Sequence, residues 1–160
     1  MVALKIKNVK QFMNLLFFGD LFDNCTLEEA SIKTFVTYNI DGAFEKGFFK
    51  DDEDLENGEK DDIYVSWKML KEHCRDLIKG KNTPVFMKLV FHGDSSFLKD
   101  TKEYEDLKAL LLIVKFESGT LTLVTGTSFK SFSLDKDTEK LWDRRVTELL
   151  IKRDVEYEEL

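Results

Sequence analysis

Apolar residues follow two different spacings along this chain of 160 residues, and the order of those spacings constrains the fold more than any single motif. Alternating apolar and polar residues, as at Val2–Ile6, are typical of a half-buried strand, whereas the three-to-four spacing of residues 8–19 is typical of an amphipathic helix. The spacings predict a strand, a helix, three strands, a helix, three strands and a helix. Because strands and helices do not alternate regularly, we expect an α+β fold with a mostly antiparallel sheet and two or three helices packed on it.

A two-residue turn inside the first group of strands predicts a hairpin. Asp41-Gly42 stands between the β-rich run Phe35–Ile40 and the run Ala43–Phe49. An Asp-Gly pair between such runs is the strongest short hairpin signal, because both residues tolerate the positive φ that the turn requires. We therefore expect these two runs to pair. Thr26–Ile32 is predicted as a further strand ahead of them, although Glu28–Ala30 is also compatible with a helix.

A second hairpin is predicted around Glu117–Thr120. The apolar run Ala109–Phe116 precedes this turn and Leu121–Thr125 follows it, and both runs have the composition of strands. Pro84, the only proline of the chain, precedes another predicted strand, Val85–His92. Three later apolar residues would continue the sheet: Phe129, Phe132 and Leu134.

A helical pattern returns near the end of the sequence. An apolar stripe runs along residues 135–153, and Asp135 or Asp137 stands where an N-cap residue is expected. Acidic residues are concentrated early and basic residues late, which suits the helix dipole and indicates a contribution to stability. Beyond this helix, Val155 and Tyr157 alternate with acidic residues and predict a short edge strand.

The length and composition predict a single domain that comprises residues 1–160. A chain of this length can bury a sizeable core without disulfides or metals, and its two cysteines are too few for a disulfide framework. No apolar stretch is long enough to cross a membrane or to serve as a signal peptide. We therefore expect a soluble, cytoplasmic protein without a membrane partner.

Charge is unevenly distributed in this acidic protein, whose formal net charge is −7. Residues 51–62 contain eight acidic residues and one lysine, a run that repels itself and predicts a mobile loop. The run does not fit a calcium loop, because with Gly58 as the turn glycine a ligand position falls on Leu55 and the closing glutamate position falls on Tyr64. The net charge also disfavours nucleic acid as a partner, without excluding it, since a local basic patch is still compatible with it.

The sequence contains no recognisable motif for a metal, a cofactor or a catalytic nucleophile. The residues Cys25, Cys74, His73 and His92 form no Cys-x-x-Cys or His-x-x-x-His pair, so no zinc site is predicted. His73 and Cys74 are adjacent, and adjacent side chains on a helix point about 100° apart, so these two cannot act on each other. No dinucleotide or phosphate-loop motif occurs, and we expect neither a cofactor nor a metal. Whether the four residues converge in space is left open.

One predicted helix carries the most concentrated positive charge. Residues 66–81 hold five basic and two acidic residues, a net charge of +3 within an acidic protein. At about 100° per residue, the apolar residues fall on one side and four basic residues fall on the adjacent flank. Such a flank is typical of a solvated helix whose lysine stems cover the core, and alternatively of a contact surface for an acidic partner. The candidate contact residues are Lys68, Lys71, Arg75 and Lys79.

Three stretches of the sequence resemble an uncharacterised bacterial family, a domain of unknown function. They are LFDNCTLEEASIKTF (residues 21–35), LIKGKNTPVFMKLVFH (77–92) and FSLDKDTEKLWDRRVTELL (132–150). The resemblance covers the whole chain and implies no catalytic residue. The element order predicted for residues 2–125 is also similar to one domain of a DNA sliding clamp. The chain departs from that domain by its C-terminal helix, and this likeness concerns the fold alone.

The lack of catalytic motifs favours a binding protein over an enzyme. We expect a non-enzymatic interaction module whose unidentified partner is a protein or an acidic, phosphate-bearing ligand. Two alternatives stay open: a clamp-like module associated with nucleic acid, and a hydrolase or transferase with a site around His73, Cys74 and His92. A reactive thiol at Cys74 would favour the enzyme, whereas a buried, inert thiol would count against it.

Overall fold

The computed structural model describes five parts of the chain: residues 1–49, 63–78, 82–98, 106–134 and 136–160. These residues form eight strands and three α-helices. The strands are β1 (Ala3–Ile6), β2 (Thr26–Lys33), β3 (Thr37–Asp41), β4 (Val65–Ser66), β5 (Phe86–Gly93), β6 (Leu107–Glu117), β7 (Thr120–Phe129) and β8 (Tyr157–Glu159). The helices are α1 (Val9–Phe17), α2 (Trp67–Leu77) and α3 (Asp137–Lys152).

All eight strands belong to one sheet. The order across it is β3-β2-β5-β6-β7-β1-β8, and the two-residue β4 pairs with β2 beside this path. Every pairing among the described strands is antiparallel. The predicted α+β class with an antiparallel sheet is therefore confirmed, and so is the short edge strand after the last helix.

The three helices cover one face of the sheet. In β6 the alternate residues Leu110, Leu112, Val114 and Phe116 are buried, whereas the residues between them are half-buried or exposed. The buried side chains of α1, α2 and α3 belong to the same hydrophobic cluster as these strand residues. The opposite face of the sheet is therefore the wetter one, as expected for an antiparallel sheet packed on one side only.

The first helix begins and ends where its sequence signals predict. The side chain of Asn8 accepts a hydrogen bond from the backbone N–H of Gln11 at 3.0 Å, which satisfies one donor of the first turn. A Cβ at Gly19 would lie 2.7 Å from the carbonyl oxygen of Leu15, so the chain can turn this closely past the helix end only at a glycine. The buried face of the helix consists of Phe12, Leu16 and Phe17.

The hairpin predicted around Glu117–Thr120 is confirmed. β6 and β7 pair from Glu117 opposite Thr120 down to Leu107 opposite Phe129. The two central turn residues, Ser118 and Gly119, have φ angles of 52° and 77°. Positive φ at both positions defines the primed turn whose twist matches that of the flanking strands.

The hairpin predicted at Asp41-Gly42 is wrong. β3 ends at Asp41 and pairs with β2, and the chain then passes through a single bridge between Ala43 and Tyr64 into a 3₁₀ turn instead of a strand. The reason lies at Gly42, where a Cβ would stand 1.7 Å from the carbonyl oxygen of Leu27. The glycine is required by this close approach to the backbone of β2 and not by a turn.

The continuation of the sheet to Phe132 and Leu134 is also wrong. β7 ends at Phe129, opposite Leu107 at the start of β6, and one further backbone hydrogen bond, from the N–H of Lys130 to the carbonyl oxygen of Asp106, lies beyond that pair. The side chains of Phe132 and Leu134 are 90% and 84% exposed. An apolar residue therefore does not extend a strand where the adjacent strand has ended.

The cap predicted for the last helix differs in detail. Lys136 occupies the N-cap position without a side-chain hydrogen bond to the backbone, and Asp137 is the first helical residue instead of the cap. Asp135 and the acidic segment 51–62 lie outside the described residues. Among the described helices, none combines the length and apolarity that a membrane span requires.

Candidate functional site

An open apolar groove of about 800 Å³ lies between α1 and α2. One wall is formed by α1 and the other by the end of α2, and the further described lining residues are Asn82, Thr83, Pro84 and Phe116. The volume lies within the range of about 300–1,000 Å³ that is typical of ligand pockets. The apolar side chains contributed by the two helices and their ends are Val9, Met13, Phe17, Phe18 and Ile78.

Three polar contacts fix the two helical walls relative to each other. The indole Nε1 of Trp67 donates to the carbonyl oxygen of Leu16 at 3.0 Å. The ammonium of Lys71 donates to the carbonyl oxygen of Gly19 at 2.7 Å and forms an ion pair with Asp23 at 2.8 Å. Lys71 and Asp23 are only 15% and 17% exposed, so this pair joins the end of α1 to α2. The groove is therefore preformed, which lowers the entropy cost of binding.

An exposed aromatic ring stands at one end of the groove. Phe18 follows α1 directly, lines the groove and is 71% exposed. The guanidinium of Arg75 lies 4.8 Å from the centroid of its ring. A cation over an aromatic face at this distance is attracted by the ring quadrupole, so the two side chains hold each other in position at the surface.

The charged groups of the groove are few and mostly positive. Among the lining residues that the structure describes, Lys10 and Arg75 contribute two cations, Asp76 contributes one carboxylate, and the other polar residues are uncharged. Lys10 lies in the first turn of α1, and Arg75 lies over Phe18 beyond the last turn of the same helix. The two cations therefore stand near opposite ends of an apolar surface.

The predicted basic flank of α2 contributes a single residue to this groove. Among the described members of the flank, Arg75 lines the groove. Lys71 instead contacts Asp23 and Gly19, and Lys68 is exposed on α2. Lys79 lies outside the described residues. The predicted apolar face of the same helix is confirmed, since Trp67 and Cys74 are buried.

Sequence reasoning missed the contributions of α1 to the groove. Lys10, Met13 and Phe18 line it, although the pattern of α1 indicated only a helix that packs on the core. One signal was available: the helix carries more apolar residues than its buried face of three needs, since Val9 and Met13 are only partly buried. An apolar surface wider than the core contact is typical of a helix that also borders a groove.

The two thiols lie in the core and are unsuited to nucleophilic catalysis. Burial raises the pKa of Cys74 to about 12. Burial, with smaller contributions from the charges of Asp94 and Asp23, raises the pKa of Cys25 to about 12. His73 is exposed while its neighbour Cys74 is buried, as expected for adjacent residues on a helix. These observations count against a thiol enzyme at Cys74.

A second, more polar cleft of about 670 Å³ lies beside β2, β3 and β5. Glu28 and Tyr64 line it, and behind them the Nε2 atom of His92 lies 2.5 Å from the Oε2 atom of Glu28. The rings of Tyr64 and His92 are 4.9 Å apart. A β-bulge between Leu27 and Glu29 places Glu28 out of the regular alternation of β2, and such bulges re-aim side chains.

The described residues contain no cluster of histidine, cysteine, aspartate and glutamate that could hold a metal ion. Glu28 and His92 supply two ligands, whereas a structural zinc site needs four and a catalytic one needs three. His73, Cys74 and His92, the residues of the predicted enzyme alternative, are not brought together, because Cys74 is in the core, His73 is exposed on α2 and His92 contacts Glu28.

The fold and the groove define this class of protein: an α+β chain in which a single antiparallel sheet carries its helices on one face and an apolar groove between two of them. A family model for DUF5721, a family of unknown function, matches residues 15–158, and the chain belongs to that family. The predicted membership of an uncharacterised family is therefore confirmed. No curated protein and no solved structure matches the chain.

Proposed function

We propose that this protein is a non-enzymatic binding module that captures its partner in the groove between α1 and α2. The observation that carries the proposal is the exposed Phe18, fixed by Arg75 at the end of a preformed apolar groove. Aromatic residues, methionine and arginine are the types enriched at protein interfaces, and Phe18, Met13 and Arg75 supply all three.

The energetics of the exposed ring support a binding role. Phe18 leaves most of its surface in water and is absent from the buried core. Burying apolar surface stabilises a contact by about 25 cal/mol per Å², so a partner that covers this ring and the adjacent groove gains free energy that the isolated chain does not use. Neighbouring groups that already hold the ring and the walls keep the ordering cost low.

The test compares partner capture by the wild-type chain and by groove variants. Phe18→Ala removes the exposed ring, and Arg75→Glu reverses the charge that stacks on it. Lys140→Glu on α3 is the matched control, because it reverses an exposed charge away from the groove. We expect the proteins retained by the wild-type chain from its native cells to be lost with both groove variants and kept with the control. Retention of the same proteins by all variants would refute the proposal.

A hydrolase or transferase is a second candidate, and the contact between His92 and Glu28 favours it. A carboxylate beside an imidazole fixes the orientation and tautomer of the ring, which is an arrangement used in general acid–base catalysis. Glu28 lines the polar cleft and His92 is absent from its described lining, so Glu28 would be the member of the pair that faces a substrate there. Hydrolysis of generic ester and phosphoester substrates that disappears in Glu28→Gln and in His92→Gln would support this candidate, and activity unaffected by both would end it.

A clamp-like module associated with nucleic acid is a third candidate. The order of elements from β1 to β7 supports it, since two helices alternate with groups of antiparallel strands. The net charge of −7 is unfavourable to it, because phosphate contacts require lysine and arginine. This candidate predicts retention on duplex DNA that decreases steeply with salt. An absence of retention at low ionic strength would exclude it.

A further inference from the structure

We propose that the groove takes a short amphipathic helix of a partner protein, with apolar anchors in its centre and an acidic residue near each end. The inference rests on the proposed function and specifies its partner. Three properties of the groove carry it: the length of its α1 wall, its position relative to the edges of the sheet, and the placement of its two cations.

The length of the α1 wall fits two turns of a helix. The wall extends from Val9 to Phe18. At about 1.5 Å of rise per residue, these positions are roughly 14 Å apart along the helix axis. A bound helix whose anchors occupy positions i, i+4 and i+7 spans about 10 Å and therefore fits along this wall.

The position of the groove disfavours an extended peptide. A peptide that adds a strand needs an unpaired sheet edge, and the ends of the sheet are β3 and β8. No described residue of either strand lines the groove, and Phe116 belongs to β6, which is paired on both sides. An extended occupant would therefore leave its own backbone groups without strand partners, whereas a helix satisfies them internally.

The described charges of the groove, two cations and the carboxylate of Asp76, are positive on balance and favour an acidic occupant. Lys10 lies in the first turn of α1, and Arg75 lies over Phe18 at the other end. Lys10 and Phe18 are eight positions apart, about 12 Å along the helix axis. Two acidic residues seven or eight positions apart on a bound helix match this spacing, so that each can face one cation. A single-headed anionic amphiphile offers one charge where the bound helix offers two.

The experiment is a selection from a displayed library of random 14-residue peptides against the whole chain. Counter-selection against Arg75→Glu removes peptides that bind elsewhere. We expect the enriched peptides to carry apolar residues at i, i+3 or i+4, and i+7, with acidic residues near both ends. Enriched peptides without helical spacing or without acidic residues would overturn the inference, and so would a failure to enrich any peptide.

Affinities of a selected peptide then test the individual contacts. Arg75→Glu and Lys10→Glu are each expected to weaken binding roughly tenfold or more, and Lys140→Glu to leave it unchanged. A proline placed in the middle of the peptide should abolish binding, since it breaks the helix. Unchanged affinity with the proline peptide, or equal losses in all three protein variants, would overturn the inference. If cellular partners still depend on Phe18 in that case, the groove function stands and only the helical, acidic occupant is wrong.

Discussion

The region of the sheet covered by α3 and the region covered by α1 and α2 differ in how closely the helices pack. Beneath α3, the space bordered by Trp142, Phe97 and Val146 amounts to about 10 Å³, room for no more than about one water. Between α1 and α2 about 800 Å³ stays open. Both sides cover one hydrophobic cluster, so packing density differs between two sides of the same core. The tight side supplies stability, and the open side is where we propose that a partner binds.

The contacts of Trp142 explain why the α3 side closes. Its ring lies against Gly93, where a Cβ would stand 2.6 Å from the ring, and its Nε1 donates to the carbonyl oxygen of Leu111 at 2.8 Å. Phe97 meets the same ring edge-on at 5.5 Å. The large ring of Trp142 fits against the sheet because Gly93 has no side chain at the point of contact. The described residues that line the open groove include no glycine, so no comparable close packing against a glycine occurs there.

Truncation in the two regions should give the largest difference. Trp142→Ala is expected to lower the free energy of unfolding by about 3–5 kcal/mol, because it removes a buried ring and its hydrogen bond. Met13→Ala, at a half-buried position of the groove, should lower it by only about 1 kcal/mol. Urea denaturation of both variants measures the difference. Equal losses would show that the groove is closed and packed in solution.

Adding a methyl group beneath Trp142 should have the next largest effect on the free energy of unfolding. Gly93→Ala places a methyl group against a ring that cannot move away, and we expect a loss of about 1–3 kcal/mol. The control is Gly47→Ala in the 3₁₀ turn Lys46–Phe48, where the nearest atom to a new Cβ is a side-chain oxygen at 3.4 Å. Thermal unfolding of the two variants provides the comparison. A Gly93→Ala variant as stable as the control would mean that Trp142 packs less tightly against Gly93 in solution.

The exposed ring of the groove should affect binding more than stability. Phe18→Ala is expected to change the free energy of unfolding by less than about 0.5 kcal/mol, because the ring is mostly in water. The same variant should weaken a groove-binding peptide roughly tenfold or more, as anchors of an interface do. Denaturation and fluorescence anisotropy on one preparation separate the two effects. A large loss of stability would place Phe18 among the core residues instead.

Thiol reactivity reports whether the open side exposes the core. Because the pKa of both Cys25 and Cys74 is raised to about 12, only on the order of one thiol in ten thousand is ionised at pH 8. Alkylation of the native protein should therefore be slow at both positions and fast in denaturant. Peptide mapping by mass spectrometry distinguishes them. Fast reaction at Cys74 alone would show that α2 moves away from the core, and it would support the hypothesis of an enzyme with a reactive thiol at Cys74.

A surface ion pair between the two regions should give the smallest effect. Arg153, after α3, lies 2.6 Å from Asp20, after α1, and its hydrogen bond and charge lower the pKa of Asp20. A lowered pKa in the folded state adds stability above the ordinary aspartate value of about 3.9, and this stability is lost as the pH falls through the folded value. Asp20→Asn should remove this small acid-side dependence. Identical pH profiles would show that the pair contributes nothing.

The sequence predicted the elements of the fold well where local physics decides them. Alternation in β6 and β7 and the turn residues between them specify a hairpin without help from the rest of the chain, and Asn8 and Gly19 delimit α1. Asp41-Gly42 carried an equally strong local signal and was misleading. Its glycine is required by the backbone of Leu27, fifteen residues earlier, and no local pattern expresses such a contact.

The site was less predictable than the fold. The basic flank of α2 was visible from helical spacing, but the ion pair that joins Lys71 to Asp23 forms across 48 residues and gives this lysine a structural role. Lys10 and Phe18 border the groove only because α1 packs beside α2. The pairing of His92 with Glu28 depends on a bulge in β2 that the sequence pattern does not reveal.

The sequence by itself determined the α+β class and most of the order of helices and strands, because spacing and turn chemistry act over a few residues. Only the tertiary structure decided which surfaces stay open. A groove is a relation between elements that are distant along the chain, and its volume depends on how closely they pack. Trp142 is buried because Gly93 lies directly against its ring, whereas Phe18 is exposed to water. The exposure of each ring is therefore set by the residues that the fold places opposite it.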